Sequence, residues 1–134
     1  MGIEIWIERR SWWSKLFGSG FRHELTLPGG DFENFLIPLF DPLYEKTGKR
    51  IDIYGSEGFA EEHLAEVGRV LRRTRDAVDK GGDAVEITKS IMTPDGFPYH
   101  SQLSREFVLK ELNQFLGVVD RANSEKKMLR FVGD

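Results

Sequence analysis

The most regular run of apolar and polar positions in the chain lies between residues 59 and 80. Ala60, Leu64, Val67, Leu71 and Val78 recur at three-, four- and seven-residue steps, the spacing of one stripe on an amphipathic helix. Glu61, Arg69, Arg72, Arg73 and Asp76 fall on the opposite side. Acidic residues come early (Glu61, Glu62, Glu66) and basic ones late (Arg72, Arg73, Arg75, Lys80), the order that the helix dipole favours. Gly81-Gly82 offers a left-handed residue to end the helix. A second stripe, Val108, Leu112, Phe115, Leu116 and Val119, predicts a helix over 104–123 capped by Ser104. A third, Phe32, Phe35, Leu36, Leu39, Phe40 and Leu43, is interrupted by Pro38 and Pro42. Each proline removes a backbone donor, so a kink or two short helices are expected between a cap at Asp31 and a stop at Gly48.

Elsewhere the period is two. Ile3, Ile5 and Ile7 alternate with Glu4, Trp6 and Glu8, and Phe21, His23, Leu25 and Leu27 alternate in turn, which predicts an N-terminal β-hairpin. Ile51–Tyr54 reads as a short strand followed by a corner at Gly55-Ser56-Glu57-Gly58. Asp83–Met92 alternates again, Pro94-Asp95-Gly96 is a turn signal, and Phe97–Leu103 is its return arm, weakened by Pro98. Met128–Val132 supplies a last short strand. From residue 51 the order is strand, helix, strand, strand, helix, strand. The expected class is α+β, with the ferredoxin-like βαββαβ order: two long helices on one face of an antiparallel or mixed sheet, preceded by the hairpin and a kinked helix. Residues 1–134 are short enough for a single domain.

The segments Ile53-Tyr54-Gly55-Ser56-Glu57-Gly58-Phe59 and Phe131-Val132-Gly133-Asp134 resemble those of a set of small bacterial proteins of unassigned function. Those proteins are similar in having a Tyr-Gly strand end, a long helix, a hairpin, a second long helix and a terminal strand closing on Gly-Asp. The resemblance implies the same element order and a bacterial origin, and it implies no catalytic residue.

Composition narrows the function. The 19 basic and 22 acidic residues give a net charge of −3 and are spread evenly, so no basic face points to nucleic acid. Cysteine is absent, which removes disulfides, thiol nucleophiles and thiolate metal sites. Glu4 and Glu8 interrupt the only N-terminal apolar run, and no run approaches transmembrane length. A cytoplasmic protein without membrane attachment is expected.

Candidate chemistry is sparse. His63 and Glu66 are one helical turn apart, but no second histidine joins them, so no metal and no cofactor are expected. Ser56 could join His100 or His63 and Asp52 on paper. Its surroundings, Gly55-Ser56-Glu57-Gly58, lack the G-x-S-x-G pattern and the Lys-Ser/Thr of a phosphate loop, so capping is its ordinary role. The segment Arg9, Arg10, Trp12, Trp13 and Phe17 is richer: Trp and Arg dominate binding hot spots. Trp13, Leu16 and Phe17 share a helical face, so Trp13 is expected to pack inward and Trp12 to lie nearer the surface, available to a partner. In the competing reading the segment is a lid that folds back onto the core, with both tryptophans part of it.

These observations lead to the expectation of a non-catalytic module acting on a protein partner or by self-association. An immunity-like protein that neutralises a toxin is one concrete version. One alternative is a small enzyme whose pocket uses Asp52, Tyr54, Glu57 and His100. Another is a homo-oligomeric structural protein pairing through exposed sheet edges.

Overall fold

Ile3, Ile5 and Ile7 turn to one side of the first strand and are all buried, as period-two alternation demands. The rest of the fold is laid against that face. The computed structural model describes residues 2–9, 20–51, 55–92 and 98–133, with backbone alone for 88–92 and 98–100. Strand β1 (Ile3–Glu8) lies inside a four-stranded antiparallel sheet. Its order is β2 (Phe21–Leu27), β1, β6 (Leu129–Gly133) and β3 (Ser56–Phe59).

The N-terminal hairpin forms as expected, with Ile3 opposite Leu27 and Ile5 opposite Leu25, but its register slips between Ile5 and Trp6. A bulge places an extra residue on one strand and changes which side the following residues face. Leu25 and Leu27 therefore join the core side. His23 instead sits opposite outward-facing Trp6, ring edge to ring face at 5.2 Å between centroids. The single apolar face expected for Phe21, His23, Leu25 and Leu27 is thus split in two.

Most of the strand expected at Ile51–Tyr54 lies outside the described residues, and a strand is described at Ser56–Phe59. Ser56 pairs with Val132 and Phe59 with Leu129, so the expected Gly55–Gly58 corner is itself largely strand. Ile51 is buried outside any strand, and residues 52–54 lie outside the described ones. Burial of an aromatic ring outweighs the turn preference of the glycines: Phe59 is fully buried and meets Phe131 edge-on at 5.3 Å.

Helix α3 (Glu61–Asp79) buries Leu64, Val67, Leu71 and Val78, and α4 (Arg105–Ser124) buries Val108, Leu112, Phe115, Leu116 and Val119. Both pack against each other and contribute to one core with the inward sheet residues, so they lie on the same face of the sheet. Gly68 faces α4 at the crossing: a Cβ there would stand 3.5 Å from Val119 Cγ1. Ser104 caps α4 as expected, accepting a 3.1 Å hydrogen bond from the Phe107 N–H. Gly81 and Gly82 do not perform the left-handed stop read from the sequence. Lys80 ends α3 in the right-handed conformation, and its N–H donates to the Asp76 carbonyl at 3.2 Å.

The two prolines break the third helix as expected. Helix α1 (Asp31–Leu36) passes through a 3₁₀ turn at Ile37–Phe40 into α2 (Asp41–Thr47), which Gly48 closes at φ 72°. Asp31 is not a side-chain cap. Its carboxylate accepts a 2.5 Å hydrogen bond from the Ser101 hydroxyl on β5 (Pro98–Ser104) instead. That bond helps to explain the main departure from the ferredoxin-like order. Strand β5 pairs with β4 (Ala84–Met92) in a separate two-stranded sheet. Both sides of β6 are taken, by β1 and β3, and the β4–β5 hairpin is held over α1 rather than added to the main sheet.

Candidate functional site

The prolines that split the third helix also shape the surface. A helix broken at Pro38 and Pro42 cannot lie flush along the straight, nineteen-residue α3. Between them runs an open cleft of about 350 Å³, walled by Pro38, Leu39, Pro42, Leu43 and Val70. Leu39, Arg73 and Thr74 border both this cleft and a second hollow of about 430 Å³. The second hollow continues past Phe35, Ala77 and Val78 to Ala84 and Val85 at the start of β4. The result is one largely aliphatic groove along the side of α3 that faces the kinked helix. Both segments fall within the size range of ligand clefts.

Its charge is concentrated at one end and in the middle. Lys46, Glu66 and Arg69 border the first cleft. Lys46 Nζ lies 3.4 Å from Glu66 Oε2, and Arg69 donates a hydrogen bond to the same oxygen. The Arg69 hydrogen bond holds the Glu66 carboxyl below its ordinary value; the charges of Arg69 and Lys46 act the same way, against a smaller opposing effect of desolvation. Arg72, one turn from Asp76, reaches across to Asp120 on α4 instead, and Arg75 pairs with Asp76 at 3.4 Å. Arg73 is exposed and has no carboxylate partner among the described residues. Of the described residues bordering the groove, three are cations and one is a carboxylate.

The sites read from the sequence are distributed differently. Arg9 is exposed, and its N–H donates to the Gly20 carbonyl at 2.7 Å; Arg10, Trp12, Trp13 and Phe17 lie outside the described residues. So do Asp52 and Tyr54, and the side chain of His100. Glu57 is half-buried on β3, opposite Phe131, whereas the backbone of His100 pairs with Thr88 in the other sheet. Those two members of the suggested enzyme pocket therefore sit on different sheets. Ser56 is exposed within a strand, not at a strand-to-helix elbow, and Arg130 Nη1 donates to its hydroxyl at 3.4 Å. His63 is half-buried on α3, and Glu66, the carboxylate one turn along, is held by Arg69 and Lys46. Among the described residues no three His, Asp or Glu side chains converge at ligand spacing.

The groove lies on the flank of α3, beside the main apolar stripe rather than on it. Val70 and Ala77 are seven apart with Thr74 between them, a narrower apolar strip beside the buried one, and it faces the proline-broken helix. No family model matches the chain, and no curated protein and no solved structure shows detectable similarity to it. The bacterial kinship and the ferredoxin-like relationship gain no support there. No helix among the described residues is long and apolar enough to cross a membrane.

Proposed function

We propose that this protein is a non-catalytic binding module that receives part of another protein in the groove between the kinked helix and α3. The observation that carries the reading is the groove itself: aliphatic walls left open to solvent beside a cation, Arg73, with no carboxylate partner among the described residues. Apolar surface gathered in one place and rimmed by polar groups is typical of interaction sites. Acid–base chemistry is poorly served there, because Glu66, the one carboxylate among the described residues of the groove, is held by two cations. An immunity-like role, in which a bacterial cytoplasmic protein occludes a toxin, is the concrete form of this reading.

A photo-reactive benzophenone side chain at Thr74, in the groove, and at Asn113, on the exposed side of α4, tests the proposal in cells that naturally produce the protein. A discrete protein adduct from Thr74 alone, lost when Ala77→Gln places a longer polar group in the groove, is the expected result. Equal adducts from both positions, or none from Thr74, would count against it.

A further inference from the structure

We infer that the segment received in this groove is acidic as well as apolar, an amphipathic stretch of a partner protein that sets a carboxylate against Arg73. The inference rests on the docking reading above and adds the chemistry of the occupant. The groove follows α3 from Glu66 to Val78, about 18 Å at 1.5 Å per residue. An occupant of three helical turns, or of five or six extended residues, spans that length.

Arg73 decides the charge of the occupant. It stands where the two hollows meet, so anything that fills both must cover it. Arg69 is engaged with Glu66, Arg72 with Asp120 and Arg75 with Asp76, so each neighbouring arginine already has a carboxylate partner. An apolar occupant would take the Arg73 guanidinium out of water unpaired, and desolvating an unpaired charge is costly. A basic occupant would set like charges against Arg73, Lys46 and Arg69 together. A carboxylate between apolar side chains satisfies the guanidinium with paired hydrogen bonds while Leu39, Val70 and Val78 take the apolar groups. The Glu66 cluster at the end of the cleft then offers Lys46 as a second, weaker cation.

Selection from a displayed library of random twelve-residue peptides, with the full chain as bait, tests this without knowing the natural partner. The enriched peptides should carry two or more Asp or Glu among aliphatic and aromatic residues. Their affinity, read by fluorescence anisotropy, should fall at least about tenfold in Arg73→Glu, fall also in the uncharged Ala77→Gln, and weaken as salt rises. Both positions are exposed, and unchanged circular dichroism confirms that the variants fold. Basic or uncharged peptides that are lost in Ala77→Gln but indifferent to Arg73→Glu would overturn the acidic occupant and leave the docking site standing. Peptides indifferent to both substitutions, or no enrichment at all, would overturn both.

Discussion

Lys46 Nζ on α2 and Glu66 Oε2 on α3 lie 3.4 Å apart, so one ion pair spans the mouth of the groove. Its partners are partly exposed, and such pairs add little to stability. What the pair does control is charge: Glu66 offsets one of the two positive charges of Lys46 and Arg69. Glu66→Gln should therefore leave the melting temperature nearly unchanged. It should raise affinity for acidic amphipathic peptides several-fold, as anisotropy titration would show. Weaker binding would mean that Glu66 itself contacts the occupant.

Leu71 and Leu39 separate core from groove. Leu71 is fully buried in the core, and Leu39 is half-buried on the groove wall. Leu71→Ala should cost about 2–5 kcal/mol in urea unfolding. Leu39→Ala should cost about 1 kcal/mol, because a wall residue loses less buried surface, and should weaken peptide binding. Equal stability losses would place Leu39 in the core and remove it from the site.

Glu24 gives the fold an acid-sensitive joint. The bulge in the hairpin lets it meet Arg22 at 2.5 Å and Arg121 near the end of α4. Desolvation pushes its carboxyl upward, but hydrogen bonds and charge from Arg22 and Arg121 outweigh that and hold it below its ordinary value of 4.5. A carboxyl depressed in the folded state contributes stability above its unfolded value and loses it as pH falls through the folded one. Glu24→Gln should therefore lower the melting temperature at neutral pH, and its curve should approach that of the parent protein as pH falls below 4.5 and through the lowered folded-state value. Parallel curves from pH 3 to 7 would exclude the joint.

Glu33 is 8 % exposed, and its Oε1 has no hydrogen-bond partner among the described residues. A buried acceptor left unmatched costs about 1–3 kcal/mol. Glu33→Met, similar in length and apolar, should raise the urea midpoint by an amount equivalent to about 1 kcal/mol or more. A lower midpoint would show that the carboxylate is satisfied in solution.

The sequence made the long elements legible and left their pairing open. Leu64, Leu71, Leu112 and Phe115 lie in the core as their periodicity requires, and Pro38 and Pro42 broke the third helix where they had to. The hairpin bulge was not legible, because nothing around Glu24 marks an extra residue on one strand. Strand β3 was not legible because Gly55 and Gly58 read as a corner, while the burial of Phe59 against Phe131 depends on a strand more than seventy residues away. The split of the β4–β5 hairpin from the main sheet was equally hidden, since β1 competes for β6 from the far end of the chain. The groove needed both α3 and the broken helix in place before Val70, Thr74 and Ala77 could be seen as one surface.

Amide chemical-shift mapping of the ¹⁵N-labelled protein, titrated with the tightest acidic peptide from the library selection, tests the docking site most directly. The largest shifts are expected at Leu39, Val70, Arg73, Thr74, Ala77 and Val85, along both sides of the groove. Shifts concentrated instead at Trp6, His23, Ser56 and Arg130, on the outward face of the four-stranded sheet, with the groove amides unmoved, would contradict it.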